Sequence, residues 1–146
     1  LTGFWNQRPG AVAIDKALKI KISNAILKLK EANKKVFITD DVPNFSFAPQ
    51  LCKYSRRFSY MNNCIDDGNY FSKQYDNYYP VLQEIQKEIS GVEMIHTAKY
   101  FCQNGFCSMA KNGKLFYRDN HHLNINGSKY LGRKIVENNP KLTENL

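Results

Sequence analysis

Asp119 and His122 are the residues of this sequence whose types and spacing most directly offer chemistry. They lie in the segment Tyr117-Arg-Asp-Asn-His-His-Leu-Asn-Ile-Asn-Gly127. On a loop ahead of a helix, an Asp-x-x-His spacing lets the carboxylate accept a hydrogen bond from the imidazole Nδ1–H. That bond fixes the tautomer and favours the imidazolium. Nε2 can then take a proton from a serine hydroxyl, and general-base help of this kind contributes about 10²–10⁴ in rate. Other readings stay open at this point. Asp-x-x-His also arises by chance, and a loop aspartate can simply cap a helix. His121 competes with His122 for the role of base, and both histidines with Asp119 could bind a metal. His96, which follows a strand-like run, reads as structural.

The elements that must position this loop follow from apolar periodicity. Ile14, Leu18, Ile22, Ala25 and Leu29 recur at helical spacing, so a helix is expected from Asp15 to Asn33, with Lys16, Lys19 and Lys30 on its outer side. Lys35-Val-Phe-Ile-Thr-Asp-Asp-Val42 reads as a strand buried on both faces and ended by Pro43. Asn44 to Tyr70 is a long polar and aromatic loop. Helical spacing returns from Ser72 to Ser90, with Pro80 expected in a first regular turn and Gly91 as the stop. Val92–Ile95 and Lys114–Tyr117 are short strands, the second after a turn at Asn112-Gly113. Asn124 is expected to cap a last helix that runs to about Asn138. Leu1-Thr-Gly-Phe-Trp5 could end a buried strand. Alternation of strands and helices implies parallel strands joined by right-handed crossovers, hence an α/β fold with helices on both faces.

Composition narrows the function. The chain has 146 residues and a formal net charge of +8. Its lysines are spread out and no arginine cluster accompanies the aromatics, so solvated helix faces are expected and no nucleic-acid partner. No stretch approaches the roughly 20 apolar residues of a membrane-spanning helix. Cys52, Cys64, Cys102 and Cys107 are even in number and closely spaced, which suits two disulfides in an oxidising compartment. Three pairings are possible. Cys52–Cys64 with Cys102–Cys107 is favoured, because each pair flanks a short polar loop containing Gly or Asn. Zinc at Cys102-x4-Cys107, completed by His121 or His122, is the rival use.

Asp119-x-x-His122-Leu123, followed by Asn124, Gly127 and a helix, resembles the last sequence block of SGNH/GDSL hydrolases. Lys35-Val-Phe-Ile-Thr-Asp-Asp-Val-Pro43, the four cysteines in order, and Leu115-Phe-Tyr-Arg-Asp119 resemble the periplasmic SGNH domain fused to membrane-bound acyltransferases of the O-antigen and surface-polysaccharide O-acetylase type. The similarity spans roughly residues 1–137 in order. It implies a three-layer α/β/α fold with a mainly parallel, flavodoxin-like sheet that lacks its first strand or strands. Residues 1–138 would be the C-terminal part of one SGNH domain, and 139–146 a polar tail.

The resemblance also implies Asp119 and His122 as two members of a Ser-His-Asp triad. Gly3, Trp5 and Asn6 are the candidates for the oxyanion hole, although this run matches the family's Gly-x-Asn-Asp poorly and equally fits a strand end and turn. The family's Gly-Asp-Ser block is absent, so the nucleophile is expected upstream of Leu1, and this chain alone is expected to be inactive. The implied partners are an acetyl donor, a carbohydrate acceptor and a membrane acyltransferase domain in the same polypeptide. The implied location is periplasmic, and neither metal nor organic cofactor is required. An acetylesterase with the same triad is one alternative. A non-catalytic module that holds zinc, or binds sugar through Tyr54, Tyr60, Tyr70, Tyr78 and Tyr79, is another.

Overall fold

A computed structural model describes residues 16–53 and 64–142. Gly3, Trp5, Asn6, the strand expected at Leu1–Trp5, Tyr54 and Tyr60 therefore lie outside the described residues. The chain divides into two compact units, residues 1–41 with 72–96, and residues 42–71 with 97–146.

In the first unit, helix α1 (Lys16–Glu31) leads to strand β1 (Val36–Thr39). Asn33 ends the helix in the left-handed region at φ 55°, a conformation that asparagine tolerates well. Strand β3 (Val92–Ile95) lies parallel to β1, with Val36 opposite Val92 and Thr39 opposite Ile95. The connection between them includes helix α3 (Asn69–Glu88). Ile22 and Ile26 of α1, Val36 and Ile38 of β1, and Tyr78, Leu82, Ile85 and Ile89 of α3 form one core with Val92. The expected two-sided burial of β1 is only partial: Val36 and Ile38 are buried, while Phe37 and Thr39, which alternate with them, are half-buried. Pro80 lies well inside α3 rather than in its first turn. An interior proline costs about 3 kcal/mol. The buried stripe of Tyr78, Leu82, Ile85 and Ile89 offsets it, each full burial being worth roughly 1.5–3 kcal/mol. Lys19 reaches from α1 to Glu84 and Glu88 of α3, at 3.0 and 2.6 Å.

The second unit corrects the expected third parallel strand. After the short helix α2 (Gln50–Lys53) and strand β2 (Ile65–Asp66) come β4 (Cys102–Gln103), β5 (Phe106–Ser108), β6 (Ala110–Lys111) and β7 (Lys114–Leu115), and then helix α4 (Ile125–Asn138). The pairs β2–β5, β4–β5 and β6–β7 are all antiparallel. The physical reason is turn chemistry. Asn104-Gly105 and Asn112-Gly113 each close a two-residue hairpin, with φ of 53° and 80° in the first and 51° and 71° in the second. Two consecutive positive φ values match the twist of a tight hairpin, and Asn-Gly supplies them at least cost. Lys114–Leu115 is therefore folded back onto Ala110–Lys111. Phe45, Phe101, Phe116 and Tyr117 are buried here and meet edge to face, with Phe45–Tyr117 centroids 5.0 Å apart and Phe101–Tyr117 centroids 5.7 Å apart.

Leu82 is fully buried at the centre of the first core. Leu82→Ala is expected to destabilise the chain by about 2–5 kcal/mol. Urea denaturation should show a lower midpoint at an unchanged slope.

Candidate active site

The Asp119–His122 segment is a short loop pinched shut at its base. Tyr117 and Leu123 form an antiparallel bridge. The Arg118 N–H donates to the His122 carbonyl, and the Asn124 N–H to the Phe116 carbonyl, both at 2.8 Å. Asn124 does more than cap α4. Its Oδ1 accepts from the Gly127 N–H at 3.0 Å, while its Nδ2 donates to the carbonyls of Leu115 at 2.9 Å and Tyr117 at 3.3 Å. One side chain thus joins the start of the helix to the strand that enters the loop. Gly127 allows this approach, since a Cβ there would collide with the Phe116 carbonyl. On the other side, the Phe45 N–H donates to the Asn120 carbonyl at 2.9 Å, and Asn120 Nδ2 donates back to the Phe45 carbonyl at 3.4 Å.

The loop brings Asp119 and His122 together. Asp119 Oδ1 accepts from the backbone N–H groups of His121 at 3.0 Å and His122 at 2.7 Å. Its Oδ2 lies 2.8 Å from His122 Nδ1. Arg118 Nε stands 3.6 Å from the same oxygen. Desolvation works against the ionised carboxylate. The His121 N–H, the His122 ring and the His122 N–H together outweigh it and hold the Asp119 pKa well below the usual carboxylate range. With Nδ1 engaged by the carboxylate, Nε2 is the atom left to exchange protons. The His122 side chain is 54% exposed.

His121 takes a different position. Its Nδ1 lies 2.7 Å from Asn120 Oδ1 and 3.5 Å from Asp119 Oδ1, so it is the less direct partner of the carboxylate. Asp119, His121 and His122 each present a ligand atom within 4.8 Å of the others, a set that also suits a divalent ion. The zinc use of Cys102-x4-Cys107 meets an obstacle. Cys102 is bonded to Cys107 and Cys52 to Cys64, so no thiolate is left at either pair. Among the tyrosines named for sugar binding, Tyr78 is 2% exposed and belongs to the core.

Sequence reading missed two features. Asn124 was legible as a cap but not as the tie to Leu115 and Tyr117. His96, read as structural, stands with its Nδ1 3.4 Å from Oδ2 of the buried Asp40, and Tyr75 donates to the same carboxylate oxygen at 3.3 Å. The available signal was that Asp40 and His96 each directly follow a strand, and that parallel strands bring such positions together.

Residues 1–137 match the family described as SGNH domain (fused to AT3 domains). The chain therefore belongs to the SGNH domain family. Among solved structures it resembles the lipopolysaccharide acetyltransferase periplasmic domain of Salmonella ser. Paratyphi A, with a TM-score of 0.57 and 21% identity. That match covers 84% of this chain and 49% of the other, so the chain spans about half the length of the structure it resembles. No match was found among curated proteins.

The lowered Asp119 pKa has a definite sign in stability. A carboxyl whose folded pKa is depressed stabilises the fold fully above its unfolded value, and this stabilisation is lost as pH falls through the folded value. Carbon-detected NMR of Asp119 Cγ should therefore give a midpoint below the ordinary 3.8. A midpoint at or above that value would contradict the hydrogen-bond pattern described here.

Proposed function

We propose that this chain is the base-bearing part of an SGNH domain that transfers acetyl groups to a hydroxyl of a cell-surface polysaccharide. The observation that carries the reading is the 2.8 Å contact of Asp119 Oδ2 with Nδ1 of an exposed His122. Membership of a family whose domain is fused to AT3 domains supports acyl transfer. The fold likeness to a lipopolysaccharide acetyltransferase domain supports the polysaccharide acceptor and a periplasmic location.

In this reading, a serine upstream of Leu1 attacks the acetyl carbonyl of the donor while His122 Nε2 takes the hydroxyl proton. The donor's leaving group departs with that proton, and the acetyl group stays on serine as an ester. A sugar hydroxyl then attacks the ester, gives its proton to His122, and leaves as the acetylated product while serine recovers a proton. Asp119 holds the ring in the required tautomer and stabilises the imidazolium formed in both halves. Gly3, Trp5 and Asn6 are the proposed region of oxyanion donors. Residues 1–138 form the C-terminal part of one SGNH domain, completed upstream into a three-layer α/β/α sandwich, with 139–146 as a tail. An AT3 membrane domain in the same polypeptide supplies the acetyl donor. Hydrolysis by the same triad is the outcome when water replaces the sugar, and product analysis with and without acceptor separates the two.

The test uses the longer protein that includes the upstream serine, with an acetyl-ester substrate. His122→Ala and Asp119→Asn should each lower kcat by about 10³-fold or more, and the double variant by little beyond the worse single one. His121→Asn should stay within a few-fold of the parent. Chelation with EDTA should leave turnover unchanged; loss of activity restored by Zn²⁺ would instead favour a metal held by Asp119, His121 and His122. Normal turnover by His122→Ala would overturn the assignment.

A further inference from the structure

Within the second unit, a cavity of about 560 Å³ opens between the β4–β5 hairpin, the turn at Ala98–Tyr100 and helix α4. Neither Asp119 nor His122 lines it. Its wall combines aromatic rings, among them Tyr130 and the 57% exposed Phe106, with the amines of Lys99, Lys111 and Lys134. Among the described residues, no aspartate or glutamate lines it. The lysines run along the rings: Lys99 Nζ stands 5.2 Å from the Tyr100 ring centre and Lys111 Nζ 5.8 Å from that of Tyr130. Lys134 is bound to Glu137 at 2.6 Å, whereas among the described residues no carboxylate pairs with Lys99 or Lys111. The disulfide Cys102–Cys107 braces the hairpin that forms one side, and the Phe116–Tyr130 stack, at 4.6 Å and 15°, stiffens the other.

We infer that this cavity binds an anionic sugar unit, one bearing a carboxylate or phosphate, of the polysaccharide that the domain modifies. The volume lies in the range of small-ligand sites, which are mostly apolar with a few convergent polar groups. A concave surface lined by one sign of charge raises the local concentration of opposite charge. Aromatic rings offer flat apolar area to the C–H face of a pyranose, while lysine ammonium groups, kept at the water-facing edge by their apolar stems, meet the anion. A purely apolar ligand would leave the lysines unused, and a bare anion would leave the rings unused. The identity of the ligand as acceptor rests on the acyl-transfer reading, but binding itself does not.

The test is calorimetric titration of the chain with trigalacturonate and with its fully methyl-esterified form, in the absence of any acetyl donor. The acid form should bind at least about tenfold tighter, and Lys99→Ser/Lys111→Ser should remove about that factor. The double variant Lys21→Ser/Lys28→Ser, which removes the same charge from exposed positions of α1, should bind like the parent. Equal affinity for acid and ester, no binding of either, or an equal loss in the two double variants would overturn the inference. Full displacement of trigalacturonate by inorganic phosphate at equal concentration would also overturn it, reducing the site to one for simple anions. Because no turnover is measured, a failed His122 assignment leaves these outcomes unaffected.

Discussion

Both oxygens of the Asp119 carboxylate are taken up by the loop that carries it. One receives the amides of the two histidines that follow, and the other faces the His122 ring. A carboxylate so surrounded stays ionised, and a carboxylate so tethered cannot turn. The orientation of His122 is thereby set by the loop itself rather than by a substrate. Charge-assisted hydrogen bonds of this kind are shorter and stronger than neutral ones, so the carboxylate holds the neighbouring ring firmly.

The loop is held by its surroundings in turn. Asn124 closes the helix start on one side and the incoming strand on the other, and Gly127 permits the contact. Asn120 exchanges two hydrogen bonds with the backbone of Phe45, whose ring lies against Tyr117. Most of these ties are local in sequence. Much of the geometry of the Asp–His pair is therefore encoded between residues 115 and 127, and Phe45 is brought in from afar.

That locality explains what the sequence revealed and what it hid. Asp119, His122, the Asn124 cap and the end of α4 were all legible, because spacing and capping chemistry act over a few residues. Helix α1, helix α3 and the strand at Val92–Ile95 were legible because their apolar residues repeat with a clear period. Lys114–Tyr117 was legible as a short strand, but its antiparallel partner was not. Four apolar-rich residues carry no information on their partner, and the decisive signal was the Asn-Gly pair just before them. Asn104-Gly105, inside the Cys102–Cys107 loop, was not singled out as a second such turn. The approach of His96 to Asp40 was missed, because it depends on the pairing of strands more than fifty residues apart.

The reach of Asp119 has one more consequence. A glutamate would bring the same negative charge, yet its extra methylene would carry the oxygens beyond the two amides that lie only two and three residues ahead. What the loop demands at this position is a fixed span between backbone and oxygen, and electrostatic equivalence does not meet it. The side chain works as a ruler, and the imidazole stands where the ruler ends.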